Sequence, residues 1–151
     1  MFRLVHVNIE NDHLLATLDT LCQQQGLRLT KSRREVFELM LRSGHAIGAY
    51  DLLDMLQTTT PSAKPITVYR ALDFLSAYGF IHRIASDSTF VVCRHPQDTS
   101  VGQLLICERC GSVTEAHTSV SMQSLEAQAA KIGFKINRQT IEAHGICQHC
   151  G

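Results

Sequence analysis

The stretch Ile66–Val92, ITVYRALDFLSAYGFIHRIASDSTFVV, decides the fold, because it passes from a helical segment to two short β-rich runs across one glycine. Ile66 to Tyr78 reads as a helix, entered from the proline-bounded loop Pro61-Ser62-Ala63-Lys64-Pro65 and ended by Gly79. Phe80-Ile81-His82-Arg83-Ile84 and Thr89-Phe90-Val91-Val92 are then separated by the turn residues Ser86-Asp87-Ser88, the pattern of a hairpin.

Upstream, three more helices are expected. Asn11 to Gln25 carries Leu14, Leu15, Leu18, Leu21 and Cys22 at helical spacing, with Gly26 as the stop. Thr30 caps a second helix that presents Val36, Phe37, Met40 and Leu41 on one face and ends at Ser43-Gly44. Ala49 to Gln57 forms a third, with Leu52, Leu53, Met55 and Leu56. Helices followed at once by a hairpin make a winged helix-turn-helix.

That placement points to DNA. A recognition helix needs short polar and cationic groups near its N-terminus, and Thr67, Tyr69 and Arg70 stand there. Arg70 suits bidentate contact with guanine, and Tyr69 a thymine methyl or a phosphate. Helical pattern alone would put Tyr69 in the core and leave Arg70 as a solvated charge; the wing that follows tips the reading to DNA. The formal net charge is zero, which would count against a nucleic-acid binder if the charge were evenly spread. Arg28, Lys31, Arg33 and Arg34 nevertheless form a local basic cluster suited to phosphates, or else an ordinary solvated helix face.

The C-terminal third carries two matched clamps, Cys107-Glu108-Arg109-Cys110 and Cys147-Gln148-His149-Cys150, each followed by glycine. Paired C-x-x-C clamps suit a tetrahedral thiolate cage for structural zinc. The 36 residues between them exceed a simple zinc ribbon, so a small α/β domain is expected to fold there. It should contain strands at Gln103–Ile106 and Ser112–Ala116, a helix at Ser119–Ile132 with Met122, Leu125 and Ala129 inward, and a strand at Phe134–Glu142. Two disulfides are the competing reading, disfavoured because Met1–Asn11 lacks the apolar core and cleavage site of a secretory signal. No apolar run approaches 18 residues, and a composition of 44% hydrophobic and 19% charged residues is that of a globular protein. A cytoplasmic location without membrane partners is expected.

Together, Arg28-Leu29-Thr30-Lys31-Ser32-Arg33, Pro65-Ile66-Thr67-Val68-Tyr69-Arg70-Ala71-Leu72 and the two clamps resemble the ferric uptake regulator (Fur) superfamily of bacterial metal-dependent repressors. Ala49-Tyr50-Asp51-Leu52-Leu53-Asp54, Ala71-Leu72-Asp73-Phe74-Leu75 and Ile141-Glu142-Ala143-His144-Gly145 are most similar to its zinc uptake regulator branch. The resemblance implies an α+β homodimer: a winged helix-turn-helix domain (1–93), a hinge linker (94–102), and an α/β dimerisation and metal-binding domain (103–151) closed by the four-cysteine zinc site. It also implies repression of uptake genes through A·T-rich palindromic operators, with Tyr50, Tyr69 and Arg70 where the family touches DNA.

A second, regulatory zinc is expected, making two per subunit. A hairpin closed by Ser86–Ser88 pairs Ala85 with Thr89 and His82 with Val92, next to Cys93. His95 and Glu115 complete a His-Cys-His-Glu set, which the resemblance matches to the regulatory site of zinc uptake regulators. Taken singly, His82, Cys93 and Glu115 have plain structural explanations. A thiolate favours zinc over the ferrous or manganous ions that prefer nitrogen and oxygen ligands. His117 and His144 are kept as candidates for a third site, His6, His13, His45 and His149 are expected to be solvated, and Cys22 is expected in the core. The alternatives are an iron- or peroxide-responsive regulator of the same family, which should carry a site rich in His and Asp, and a zinc hydrolase using His82, Cys93 and Glu115, against which the chain shows no nucleophile elbow or phosphate loop.

Overall fold

The computed structural model describes residues 2–96, 98, 101–117, 120–137 and 139–151. It divides into two compact units, Met1–Arg94 and His95–Gly151.

The first unit begins with α1 (Phe2–Gln25), α2 (Lys31–Ser43), the short strand β1 (Ile47–Gly48), α3 (Ala49–Gln57) and α4 (Pro65–Ala77). Helix α1 starts nine residues before the expected Asn11, and no proline or glycine interrupts Phe2–Glu10. Thr30 caps α2 as expected, its hydroxyl accepting from Arg33 N at 3.3 Å. Pro65 occupies the first turn of α4, where its missing N–H costs nothing. At the other end of α4, Gly79 takes φ 76°, and Phe80 N reaches back to Leu75 O at 2.9 Å. That reversal needs a residue tolerant of the left-handed region, and it delivers the chain straight into the wing.

The wing consists of β2 (Ile81–Ile84) and β3 (Thr89–Val92), extended by β1 in the antiparallel order β1-β3-β2. Two features differ from expectation. Strand β1 was not foreseen, since two residues show no periodicity. The hairpin register is also shifted by one: Ile84 pairs with Thr89 and His82 with Val91, so the loop is Ala85–Ser88. The cause is local, because Asp87 Oδ1 accepts from Thr89 N at 3.1 Å and from its hydroxyl at 2.6 Å, with Ser88 at φ 58°.

A single core holds this unit. Leu14, Leu18 and Cys22 of α1 join Val36, Phe37 and Met40 of α2, Leu52 and Leu56 of α3, and Val68, Leu72 and Leu75 of α4. Phe80 closes the cluster from the wing, meeting Phe37 edge-on with ring centroids 5.7 Å apart. Burial pushes the Cys22 thiol up, as befits the core position expected for it.

The second unit has strands β4 (Val101–Cys107) and β5 (Val113–His117), helix α5 (Val120–Lys131) and strand β6 (Ile141–Gly145), in sheet order β5-β4-β6. Strand β4 is antiparallel to β5 and parallel to β6, so α5 lies on the crossover. Val101 and Gly102, expected in the linker, belong to β4, and the expected strand from Phe134 begins only at Ile141. Phe134 is occupied otherwise: its N–H caps α5 through Ala129 O at 2.9 Å. Thr99, Ser100 and Ser119, and the side chain of Met122, lie outside the described residues.

Candidate metal centre and nucleic-acid face

The sheet of the second unit brings the two clamps together. Cys107 ends β4 and the second clamp follows β6 directly, so the parallel β4–β6 pairing delivers both to one end, with Cys107 opposite Gly145. Glu108 N donates to Gly145 O at 2.9 Å, continuing the tie beyond the strands. Each clamp is a tight turn: Gly111 N returns to Cys107 O at 2.9 Å with Gly111 at φ 70°, and Cys150 N and Gly151 N both return to Cys147 O at 3.0 Å. Arg109 donates from its guanidinium to Cys150 O and laces one clamp to the other.

All four sulfurs lie within 4.8 Å of one another, and Cys110 Sγ and Cys147 Sγ are 3.8 Å apart. A zinc bonded at ~2.3 Å to four tetrahedral sulfurs requires sulfur–sulfur edges of about 3.8 Å, so the donor set fits the ion. The thiols are not equivalent. Cys107 is lowered to about 6, chiefly by the backbone N–H of Cys147, which lies 3.4 Å from its sulfur. Cys110 is lowered by the Ser112 hydroxyl, whereas Cys150 is raised to about 12, chiefly through its hydrogen bond with Cys147. The backbone thus stabilises thiolate at Cys107 before any metal arrives. All six cysteines are free thiols, so the disulfide alternative finds no support.

In the first unit α4 buries Val68, Ala71, Leu72, Phe74 and Leu75. The opposite side exposes Tyr69 and Arg70, with Thr67 half-buried. Tyr50, in the first turn of α3, is 67% exposed. This is a helix-turn-helix whose recognition helix keeps its cationic and aromatic side chains in solvent.

Residues 24–144 match the ferric uptake regulator family. The chain belongs to that family. It is 45% identical to the zinc uptake regulation protein of Escherichia coli K12 over 138 residues, covering 91% of this chain and 81% of that protein. It is also similar to a solved zinc uptake regulator complexed with zinc and DNA, with a TM-score of 0.87 and 44% identity over 92% of this chain and 93% of the other. A holo structure of XcZur matches with a TM-score of 0.82 and 40% identity over 92% and 96% of the two chains.

Set in the ferric uptake regulator fold, the basic cluster resolves into different roles. Arg34 holds Asp19 at 2.7 and 2.9 Å and Glu38 at 3.1 Å, tying α1 to α2. Arg33 lays its guanidinium 3.9 Å over the Phe74 ring and donates to Arg28 O at 2.6 Å, joining α2 to the recognition helix. Neither is a simple solvated cation; the i,i+4 spacing to Glu38 is readable in the sequence, whereas Asp19 and Phe74 are not. Arg28 is exposed, and Lys31 is exposed with a loose 3.6 Å pair to Glu35.

The residues expected to form a second site fall in both units. In the first, His82 on β2 and Cys93 after β3 bring a ring nitrogen and the sulfur within 4.8 Å. The observed register explains this. With His82 opposite Val91, Cys93 is its diagonal neighbour on the same face, whereas the expected pairing with Val92 would have put them on opposite faces. Cys93 N donates to Phe80 O at 2.9 Å, and Arg94 reaches Asn11 of α1 at 3.1 Å, fixing the end of the wing. In the second unit His95 Nδ1 lies 3.0 Å from Glu115 Oε2. His144 has Glu142 at 3.8 Å, and the His117 side chain lies outside the described residues.

Proposed function

We propose that this chain is a zinc-responsive transcriptional repressor that binds operators of zinc-uptake genes as a cytoplasmic homodimer when zinc-loaded, and is not an enzyme. The observation that carries this reading is the 45% identity with a zinc uptake regulation protein across 91% of the chain. The exposed α4 face supplies the DNA contact: Arg70 for guanine, Tyr69, Thr67 and Tyr50 beside it, Arg28 and Lys31 for phosphates. The operator proposed is an A·T-rich palindrome read by two subunits.

Each subunit is proposed to hold two zinc ions. The four-cysteine cage closes the second unit, and His82, Cys93, His95 and Glu115 hold the regulatory ion, which supplies a bridge between ligands of both units. That division of ligands supports the coupling: the four residues bind well only in one arrangement of the units, and DNA selects that same arrangement. His82 and Cys93, placed by the wing, orient half the ligand set; His95 and Glu115 bring the other half.

Fluorescence anisotropy on a palindromic A·T-rich duplex tests the reading. Binding should be tight with zinc and abolished by a chelator. Binding restored by ferrous iron but not by zinc would assign the chain to iron or peroxide sensing instead.

A further inference from the structure

We propose that Ile66 is a specificity-determining residue that packs its aliphatic side chain against the C5-methyl group of a thymine, one or two base pairs from the guanine read by Arg70; this rests on the repressor reading above. Among the described residues of the first unit, the large hydrophobics left exposed are Tyr50, Ile66 at 53% and Tyr69 at 41%. All three fall within the first five residues of α3 or α4, although a single exposed apolar side chain elsewhere would need no explanation. The two tyrosines have hydroxyls to offer water, but Ile66 has none.

Its position on α4 is decisive. Successive residues turn by ~100°, so Ile66 shares a face with Tyr69, Arg70 and Asp73, all exposed, and points away from buried Val68, Ala71, Leu72 and Leu75. Neighbours four apart on a helix are about 5–6 Å from each other at Cβ, and base pairs are stacked ~3.4 Å apart. A groove that admits Arg70 to a guanine edge therefore brings Ile66 to the adjoining steps. There the feature an aliphatic side chain can recognise is the thymine methyl, the apolar group that projects furthest among the donors and acceptors of the major groove. A β-branched residue gains nothing in helix propensity at this place, so local structure does not account for it.

The test uses the duplex that zinc-loaded wild-type protein selects from a random-sequence pool, with single thymines then replaced by deoxyuridine. This removes one methyl and leaves all hydrogen-bonding groups in place. Wild type should lose about three- to fivefold in affinity per half-site at one thymine near the Arg70 guanine. Ile66→Ala should bind the thymine and deoxyuridine duplexes equally, and Ile66→Val should keep most of the discrimination, with zinc content and dimerisation unchanged. An Ile66→Ala protein that retains the full deoxyuridine penalty, or that weakens on random and selected duplex alike, overturns the inference. Wild-type protein that selects no duplex in zinc overturns the repressor reading and this inference with it.

Discussion

Arg34 shows how a cation suited to phosphate can be committed elsewhere. With Asp19 and Glu38 both within 3.1 Å, it joins two helices rather than facing a ligand, while Lys31 remains 83% exposed. Arg34→Ala is therefore expected to lower unfolding stability by about 0.5–1 kcal/mol, the worth of a partly exposed ion pair, and to leave the salt dependence of DNA binding unchanged. Lys31→Ala should do the reverse, reducing the salt slope by about one without altering stability. Thermal melts beside a salt titration of operator affinity separate the two. A reduced slope in Arg34→Ala would return it to the phosphate contacts. Cys107 offers a second residue-scale expectation. Its pKa lies below the ordinary thiol value, at about 6, so above that pH it already carries the charge zinc needs, and below it one more proton must leave. Zinc affinity of the cage should fall as pH falls, with the slope steepening by one proton below about pH 6. Competition with a chromophoric chelator across pH 5–8 measures this, and a slope constant through pH 6 would count against it.

The second unit is expected to depend on a metal in its four-cysteine cage, because its elements have little else to hold them. Among the described residues it buries only Leu104, Cys107 and Ala129, while Leu105, Leu125, Ile132, Phe134 and Ile146 stay exposed. A sheet of three strands and one helix with so small a core is marginal alone. The cage ties the end of β4 to the end of β6, a pairing that is long-range and parallel and therefore costly in chain entropy. Cys110→Ser should release one zinc per subunit and unfold or monomerise this unit. The first unit, with its own core, should keep its helical signal. Metal analysis, sedimentation and far-ultraviolet circular dichroism report these together, and a fully zinc-loaded, dimeric Cys110→Ser protein would contradict the assignment.

For the whole molecule, the proposed coupling makes folding and regulation separable. Cys93→Ser removes a soft ligand without touching the four-cysteine cage, and a neutral hydroxyl is a poor zinc ligand. The variant should fold, dimerise and retain one zinc per subunit instead of two, and lose most of its zinc-dependent operator affinity. By reciprocity, operator DNA should tighten the regulatory zinc of the wild type by the factor with which zinc tightens DNA. Zinc stoichiometry and operator binding, measured on the same preparation, decide the matter. Wild-type zinc response in Cys93→Ser would place the regulatory ion elsewhere.

Local chemistry was legible in the sequence wherever neighbouring residues carry it. The helix of Lys31–Ser43 followed from its threonine cap and apolar face, the wing from β-rich runs around turn residues, and the cage from two short clamps whose spacing suits a tetrahedral metal. Contacts whose energy comes from residues far apart in the chain were not legible. Asp19, the distant partner of Arg34, and Phe74, under Arg33, lie on other helices, β1 exists only because β3 pairs with it, and Phe134 was claimed by a helix cap rather than a strand. The hairpin register turned on one aspartate side chain in the loop. That single-residue shift, which spacing could not reveal, is what puts His82 and Cys93 on one face of the wing, because side chains alternate across a strand and only the tertiary pairing decides which of them meet.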